Sequence, residues 1–487
     1  MGCEMPGMQS ESGSGVKNRM FKAEVHCFYR NGSWYALDVR RMLVFNLSPL
    51  EAGILALPER EIAMMKLNQR FVQTLSNLEE KGLLRHTPEQ PLPVKRDVSP
   101  EIDTLELNIA QDCNLRCKYC FLERGYNSSG GKGGKMSLEV AVAAVDFLLR
   151  ESRESETISL IFTGGEPLLN FKTIKSAVEY AQVEAERKQK KAKFLIATNG
   201  TLFNNELISF IKENQIEVQI SLDGDKETHD RMRIFPNGRG SYRMISRWLP
   251  QLLADYTEKV QLRATLTPQT PDFVASFKHL RQWGAGNVTM NYAGGVEAVF
   301  KLTNRDCELL KDSYTQLAQL FLEEALKDDI SARSPFMQYI LTLCTGHRRP
   351  HYCEAAINML GVSVSGKLYP CTDLTEVESC EIGDVWRGVD RQKLSYWRAK
   401  LGDVDHIPAC RSCWARYLCA GSCISVAIAT NGDPWQPNHF ECELNRHIIE
   451  LSIWLYAELR RRNPGVFLLL LPKTEVNAFW IGVAQEK

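Results

Sequence analysis

The sequence has no excess of charge of either sign and no long apolar run. Lys and Arg together number 59, as do Asp and Glu, so no net field attracts nucleic acid or an anionic membrane. The first 20 residues are polar and lack the apolar centre of a signal peptide, and "GVFLLLLP" near the C-terminus is too short to cross a bilayer. These absences predict a cytoplasmic protein that has neither a membrane nor a nucleic acid as a partner.

Cysteine, in contrast, is abundant and unevenly placed. The chain of 487 residues has 15 cysteines, an odd number. In a long chain without a secretion signal, crowded cysteines favour metal binding over disulfides. Nine of them fall in the last third of the chain: Cys344, Cys353, Cys371, Cys380, Cys410, Cys413, Cys419, Cys423 and Cys442.

Three more cysteines lie within eight residues in "CNLRCKYC". These are Cys113, Cys117 and Cys120. A structural zinc site normally has four protein ligands, whereas three cysteines leave one coordination position for another group. An incomplete zinc site is the alternative for the triplet taken alone.

The middle of the chain has the pattern of a parallel sheet. Because β-rich runs alternate with amphipathic segments and end in polar residues or Gly, we predict an α/β fold, a partial (β/α)6 barrel whose strand ends converge on one site. The six runs span residues 104–113, 157–167, 193–200, 217–224, 259–268 and 287–295. The stretch "GYNSSGGKGGK" between the first two lacks the Ser or Thr of a phosphate-binding loop, and we interpret it as a surface loop.

Residues 20–90 form a smaller unit of different pattern. An Asn31-Gly32 pair between alternating β-formers predicts a hairpin. Ser48, Pro49 and Glu51 then predict a capped helix, and a longer helical stretch ends at a Gly. This order of hairpin and helices predicts a winged-helix-like (α+β) domain.

The triplet and the later strand ends resemble the radical S-adenosylmethionine (radical SAM) superfamily. Its C-x3-C-x2-C motif matches Cys113, Cys117 and Cys120, with the common aromatic residue at Tyr119 and a further one at Phe121. The resemblance implies that three thiolates hold a [4Fe-4S] cluster whose fourth iron binds S-adenosylmethionine. It also implies cofactor contacts for residues at later strand ends: Gly164, Gly165 and Glu166 of "GGEP", Asn199, Ser221, Asp223 and Arg233.

The C-terminal cysteines resemble the SPASM extension of radical SAM peptide maturases, which implies two auxiliary [4Fe-4S] clusters. By that resemblance, Cys410, Cys413, Cys419 and Cys442 hold the distal cluster, and Cys353, Cys371 and Cys423 hold the nearer one. Cys344 is predicted as the fourth ligand of the nearer cluster, with a free thiol as the alternative. Cys3, Cys27, Cys307 and Cys380 are predicted to be non-ligands. A zinc ribbon is the alternative for Cys410 and Cys413 alone.

Residues 20–90 resemble a RiPP recognition element, a module that binds the leader of a ribosomally made precursor peptide as an added strand. The alternative, a winged helix on DNA, lacks a basic recognition helix here. The domains are predicted as a disordered tail at 1–19, the recognition module at 20–90, a linker at 91–102, the barrel at 103–335, the SPASM domain at 340–450, and a C-terminal helix and strand at 451–487.

These resemblances together predict a peptide maturase that uses a 5'-deoxyadenosyl radical, a precursor peptide and an external electron donor of the flavodoxin or ferredoxin type. A thioether cross-link is the first expectation and a carbon-carbon or ether cyclophane the second. Formylglycine formation by an anaerobic sulfatase-maturating enzyme is another alternative, but in that family an aspartate directly follows the cysteine of Gly-x4-Cys, where this chain has Thr372 and then Asp373. An iron-sulfur redox sensor that binds DNA is the alternative from another class.

Overall fold

The structure is a computed structural model that forms two compact units, Met1–Val94 and Lys95–Lys487. Their division falls within the predicted linker. The residues that the structure describes are 21–58, 61–62, 69–85, 101–120, 134–269, 272–293, 303–327, 335–349, 351–375 and 377–470. The predicted tail, Cys3, Phe121 and most of the linker and of "GYNSSGGKGGK" lie outside these residues.

The N-terminal unit combines a small sheet with helices. Its elements are β1 (Phe21–Lys22), β2 (Val25–Arg30), β3 (Ser33–Asp38), β4 (Leu43–Leu47), α1 (Pro49–Ala56), α2 (Gln69–Glu80) and β5 (Leu84–Arg85). The strands β2, β3 and β4 form an antiparallel sheet in that order, and β1 pairs with β5.

The local signals in this unit have the predicted effects. Asn31 and Gly32 turn the β2–β3 hairpin with φ of 48° and 84°, the left-handed conformation that a tight hairpin turn requires. Ser48 caps α1, and Glu51 completes a capping box by accepting a hydrogen bond from the Ser48 backbone N–H. The apolar faces of the sheet and helices then meet in one core that includes Ala36, Ile54 and Leu78.

The larger unit is built on six parallel strands that are neighbours in chain order, as predicted. They are β6 (Thr104–Ala110), β7 (Thr157–Gly164), β8 (Lys191–Thr198), β9 (Glu217–Ser221), β10 (Val260–Leu266) and β11 (Asn287–Tyr292). The helices between and after them are α3 (Leu138–Glu151), α4 (Phe171–Arg187), α5 (Asn205–Glu213), α6 (Lys226–Met232), α7 (Tyr242–Ser246), α8 (Leu249–Leu253), α9 (Phe273–Arg281), α10 (Asn304–Ala325) and α11 (Met337–Thr345).

The sheet is strongly curved. Three strands separate β6 from β10, and in a flat sheet the spacing of about 4.8 Å per strand would place these two about 19 Å apart. Burial raises the pKa of Glu106 on β6, while the guanidinium of Arg263 on β10 lowers it. Because the energy of such an interaction falls with distance, it indicates that the two groups lie closer together than a flat sheet would place them. The sheet therefore curls as the predicted partial barrel requires.

The cysteine-rich region extends the same sheet. Strand β12 (Met359–Val362) pairs in parallel with β6. The strands β13 (Lys367–Tyr369), β14 (Gly383–Asp384) and β15 (Gly388–Val389) follow it in antiparallel order. The predicted barrel and SPASM segments thus share a sheet of ten strands.

The C-terminal part is helical. It contains α12 (Arg391–Leu401), α13 (Arg416–Cys419), α14 (Ile424–Asn431), α15 (His439–Arg462) and α16 (Phe467–Leu470). The predicted strand in "VFLLLL" is wrong over its described residues, because 464–466 form a 3₁₀ turn and 467–470 a helix. The predicted boundary at 450/451 falls inside α15, which packs along α10.

In the described part of the chain, no helix combines the length and the apolarity that a membrane span needs.

Candidate active site

The three-cysteine loop directly follows β6 at the carboxyl end of the sheet. Cys113, Cys117 and Cys120 are all half-buried, and the Cys120 N–H donates to the Cys117 carbonyl at 3.0 Å. Burial, with a smaller contribution from neighbouring thiols, raises the pKa of Cys113 to about 11 and that of Cys117 to about 12. The structure therefore brings the three sulfurs together, in surroundings where a thiolate needs a positively charged partner.

This donor set fits an iron-sulfur cluster. Within the described residues, no three Cys, His, Asp or Glu side chains converge closely enough to share a single metal ion. A cluster distributes its thiolate ligands over separate iron atoms, so its ligands need not converge on one point. Three grouped, buried thiols without a fourth are the donors that such a cluster with one open iron would use.

The two glycines of "GGEP" pack against the backbone of the cysteine loop. Gly164 has φ of 128°, and a Cβ built there would lie 2.3 Å from the Ala110 carbonyl oxygen. A Cβ on Gly165 would lie 2.5 Å from the Asp112 carbonyl oxygen. The Gly165 N–H donates to the Ala110 carbonyl at 2.8 Å. Glycine is thus required because the end of β7 touches the start of the loop.

We expect Gly165→Ala to destabilise the larger unit by about 1–3 kcal/mol, since the new methyl group meets backbone atoms that cannot rotate away. The measurement is the thermal unfolding midpoint, together with the iron bound after reconstitution. Gly465→Ala is the matched control, because its Cβ would have only an ordinary 3.6 Å contact. Equal midpoints for the two variants would contradict this steric explanation.

Glu166 is fully buried, and its carboxylate accepts hydrogen bonds from residues at the end of β8, the next strand. One carboxylate oxygen accepts from the Thr198 hydroxyl at 2.7 Å and the Leu168 N–H at 3.0 Å, and the other accepts from the Asn199 N–H at 2.8 Å. Burial raises the pKa of Glu166 to about 7, and these hydrogen bonds oppose the shift. Since both oxygens have partners inside the protein, Glu166 positions Asn199. A contact of its carboxylate with the cofactor stays a prediction.

Asn199 links the end of β8 to the first cysteine. Its amide nitrogen donates to the Asn114 side-chain oxygen at 2.8 Å and to the Cys113 sulfur at 3.7 Å. Its amide oxygen accepts from the Thr201 hydroxyl at 2.7 Å. Sequence reasoning found Asn199 but missed Asn114 and Thr201, which fix its orientation.

A second network joins Tyr119 to the ends of β9 and β10. The Tyr119 hydroxyl donates to Asp223 at 2.6 Å, and the Arg233 Nε donates to the same carboxylate oxygen at 3.0 Å. The Thr265 N–H donates to its other oxygen at 2.8 Å. Asp223 is 1% exposed and Arg233 7% exposed, and the Arg233 guanidinium lies over the Tyr119 ring at 5.2 Å.

His229 and Ser241 lie next to Arg233 and stabilise this network, and no sequence signal marked either residue. The Ser241 hydroxyl donates to the Arg233 carbonyl at 2.9 Å and lies 2.8 Å from His229 Nε2. Burial lowers the pKa of His229 to about 4, so this imidazole is neutral at physiological pH. Ser221 lies half-buried at the end of β9, and its predicted cofactor contact stays a prediction, as does that of Phe121 outside the described residues.

Electrostatic interactions between thiols group several of the C-terminal cysteines, and the roles of these cysteines as cluster ligands stay predictions. Burial raises the pKa of Cys419 to about 12, and Cys442, Cys410 and Cys413 act on it as near neighbours. Burial, together with the neighbouring thiols of Cys442 and Cys413, likewise raises the pKa of Cys410 to about 12.

Among the cysteines predicted for the nearer cluster, burial is again the main cause of raised thiol pKa values. The nearby thiol of Cys423 also raises the pKa of both Cys353 and Cys371. Cys344 lies buried near the end of α11, and its role as a ligand stays a prediction. Cys27, Cys307 and Cys380, predicted as non-ligands, lie on β2, on α10 and in a 3₁₀ turn.

Comparisons with known proteins agree with this geometry. Residues 107–245 match the family described as Radical SAM superfamily. The chain is 34% identical over 138 residues to a cysteine-type anaerobic sulfatase-maturating enzyme of Clostridium novyi, covering 28% of this chain and 36% of that protein. The chain spans less than half the length of the first curated relatives that it matches.

Two longer matches cover most of a related chain. A cysteine-type anaerobic sulfatase-maturating enzyme of Clostridium perfringens is 28% identical over 366 residues, which is 72% of this chain and 96% of the relative. The solved structure of native anSMEcpe with bound AdoMet and Cp18Cys peptide superposes with a TM-score of 0.61 at 20% identity, covering 74% of this chain and 98% of that one. Residues 107–245 are therefore similar to the Radical SAM superfamily, and the chain has a fold similar to that of the solved anSMEcpe structure.

Proposed function

We propose that the protein is a radical SAM maturase that cross-links a ribosomally made precursor peptide. The observation that carries this proposal is the grouping of thiols in the larger unit. Three lie in the loop after β6, and seven more lie between residues 353 and 442, where several interact electrostatically with one another. A radical enzyme that oxidises its substrate needs both a cofactor cluster and a route for the electron that the product releases.

The residues that would hold the cofactors follow from this grouping. Cys113, Cys117 and Cys120 would hold a [4Fe-4S] cluster that, with S-adenosylmethionine, supplies a 5'-deoxyadenosyl radical able to take a hydrogen atom from the substrate. The protein positions this chemistry by means of Glu166 and Asn199 on one side and Asp223 and Arg233 on the other. Two auxiliary clusters would use the seven C-terminal cysteines, with Cys344 as the eighth ligand.

The proposed reaction is an oxidative cross-link. Loss of a hydrogen atom from a substrate carbon leaves a carbon radical. Attack by a substrate cysteine sulfur would form a carbon-sulfur bond, with the thiol proton passing to solvent and one electron to an auxiliary cluster. An external electron donor of the flavodoxin or ferredoxin type would reduce the first cluster. The product has lost two hydrogen atoms, and a carbon-carbon or ether bond to an aromatic ring would give the same change.

The N-terminal unit supports a peptide substrate. Among the described residues, β2 and β4 each pair only with β3, so each has one unpaired edge. A leader peptide can bind to such an edge as an additional strand through main-chain hydrogen bonds. The solved relative covers 74% of this chain, so about a quarter of the chain has no counterpart in that protein, and an added recognition module is consistent with this excess.

Formylglycine formation is the second candidate, and the match over 96% of the Clostridium perfringens enzyme favours it. Against it, Thr372 follows Cys371, and its hydroxyl donates to Glu106 at 2.9 Å. Burial raises the pKa of Asp373, the next residue, although the nearby Arg263 guanidinium opposes this shift. Mass spectrometry separates the candidates, since formylglycine formation removes sulfur from a cysteine whereas cross-linking removes only hydrogen.

The deciding experiment is anaerobic reconstitution with iron and sulfide, followed by dithionite and S-adenosylmethionine. Formation of 5'-deoxyadenosine is expected from the radical enzyme. An iron-sulfur sensor that binds DNA would form none, and that outcome would overturn the proposal. Co-expression with a short Cys-rich or aromatic-rich peptide encoded beside the gene would then identify the bond that is made.

The auxiliary clusters are tested by counting iron. Three cubanes predict about twelve irons per reconstituted chain. We expect Cys419→Ala to lower this to about eight, because Cys419 lies among the other thiols of the distal set. Cys380→Ala is the control and should leave the count unchanged, since Cys380 is a predicted non-ligand. A value near four for the unaltered protein would remove both auxiliary clusters from the proposal.

A further inference from the structure

A row of polar side chains crosses the inner face of the last three barrel strands. On β9 and β10, the Gln219 amide nitrogen donates to the Gln261 amide oxygen at 2.8 Å. The Gln261 amide nitrogen then donates to the Thr289 hydroxyl on β11 at 3.2 Å. Alternate residues of these strands, such as Val218, Leu262 and Val288, are buried on the opposite face. The row therefore faces the lumen of the open barrel.

Arg263 extends from the middle of this row and is exposed. One Nη1 hydrogen is donated to the Gln219 side-chain oxygen at 3.1 Å. In the amide orientation that satisfies both groups, the Asn291 side-chain oxygen accepts from Arg263 Nη2 at 3.0 Å and from Nε at 3.2 Å. These contacts use three of the five N–H groups of the guanidinium. Within the described part of the chain, the other two are available to a ligand.

The charge around Arg263 is arranged across the lumen. The carboxyl groups of Glu106, on β6, and Asp373, after β13, both interact electrostatically with the guanidinium. Asp373 also accepts from the Ser425 hydroxyl at 3.4 Å, and Glu106 accepts from Thr372. Two carboxyl groups therefore already interact with this one guanidinium, so the site does not call for a further acidic ligand. A neutral oxygen suits the site better.

The position of Arg263 along its strand places it between the two cysteine regions. Arg263 pairs with Ser221, which ends β9 on the side of the three-cysteine loop. Its electrostatic partner Asp373 is two residues from Cys371 of the nearer auxiliary set. A ligand oxygen on Arg263 would therefore lie in the lumen between the predicted cofactor and the predicted electron acceptor.

We propose that Arg263 binds a peptide carbonyl oxygen of the substrate inside the open barrel. This inference rests on the proposed function and adds a substrate-binding residue to it. A guanidinium held flat by Gln219 and Asn291 presents a rigid pair of donors, and such preorganisation lowers the entropic cost of binding. The neighbouring amides of Gln219 and Gln261 add donors and acceptors that suit an extended peptide backbone.

The test uses the full-length, iron-loaded protein and a mass-encoded library of 12-residue peptides with acetylated and amidated ends, in the presence of S-adenosylmethionine. We expect Arg263→Gln to retain at least about tenfold less peptide, because a hydrogen bond to a charged donor contributes enough for such a change. Arg263→Lys should retain an intermediate amount of peptide, because it keeps the positive charge but loses the planar pair of N–H donors. Arg187→Gln, on the exposed face of α4, is the matched control and should retain as much peptide as the unaltered protein.

A second measurement separates peptide binding from damage to the cofactor site. Without peptide, the unaltered protein and Arg187→Gln should form 5'-deoxyadenosine at the same slow rate, and all four proteins should contain the same iron. Unaltered retention by Arg263→Gln would overturn the assignment of Arg263 while leaving the proposed function intact. If the unaltered protein forms no 5'-deoxyadenosine or retains no peptide, the proposed function itself fails and the inference with it.

Discussion

Replacing Cys117 by alanine is expected to abolish the formation of 5'-deoxyadenosine by the reduced, iron-loaded protein. Cys117 is the central residue of the loop, and both Cys113 and Cys120 act on it as near neighbours. Loss of one of three ligands leaves an iron of the proposed cluster without its thiolate. The cofactor chemistry depends entirely on that cluster, so the expected change is complete loss. The measurement is chromatographic detection of 5'-deoxyadenosine after dithionite and S-adenosylmethionine are added.

Cys307→Ala is the control for this prediction. Cys307 is buried on α10 and is a predicted non-ligand, so its removal changes a packing contact and no iron site. It should form 5'-deoxyadenosine at the rate of the unaltered protein. Iron bound to Cys117→Ala should fall by about four per chain, the content of one cubane. Continued 5'-deoxyadenosine formation by Cys117→Ala would show that the loop after β6 is not the cofactor site.

The second large effect is expected from Asp223→Ala. This substitution removes the carboxylate that accepts from Tyr119, Arg233 and Thr265 and leaves the Arg233 guanidinium buried without its partner. Removal of one partner of a buried ion pair lowers the free energy of unfolding by about 3–5 kcal/mol, because the remaining charge is uncompensated. We expect a clear drop in the thermal unfolding midpoint of the larger unit. Binding of S-adenosylmethionine should weaken as well, since the network connects Tyr119 of the cysteine loop to the strand ends.

Glu227→Ala is the matched control on the following helix. Glu227 pairs with Arg231 four residues later, and both side chains are largely exposed. Such a pair contributes at most about 0.5 kcal/mol, so the unfolding midpoint should hardly move. The double variant Asp223→Leu/Arg233→Met should be less destabilised than Asp223→Ala, because it removes both charges. Equal midpoints for Asp223→Ala and Glu227→Ala would contradict the role given to this buried pair.

Local sequence signals predicted the parts of the fold that depend on local chemistry. The six barrel strands are short apolar runs with polar or Gly endings, and Asn31-Gly32 and Ser48 specify a turn and a cap by their own backbone preferences. The strand predicted in the run of leucines before Pro472 was wrong over its described residues, because a short apolar run is compatible with a strand and with a helix. The pairing of β12 with β6 could not be predicted, since a four-residue strand has no sequence signal for a partner more than 250 residues away.

The same distinction between local and long-range signals applies to the residues of the candidate site. Cysteines at fixed spacing are a strong signal, and they led to the ten cysteines discussed above, whose roles as cluster ligands stay predictions. Thr265, Asn114 and Ser241 were missed because single polar residues have no spacing signal, and their roles depend on how strands and loops align. Arg263 did have a signal: "QLRAT" alternates polar and apolar residues, which indicates a lumen-facing side chain. Its partners Glu106 and Asp373 are remote in sequence, so only the curvature of the sheet brings them near it.

The pairing of β12 with β6 has a mechanical consequence. The cysteine loop continues from β6, and Cys371 follows β13, the hairpin partner of β12. Both cysteine regions are thus attached to one hydrogen-bonded ladder, and the strands that carry them cannot move relative to each other unless that ladder breaks. In the proposed enzyme, the gap that an electron crosses after cross-linking would be set by the backbone and would stay constant while different peptide residues occupy the lumen.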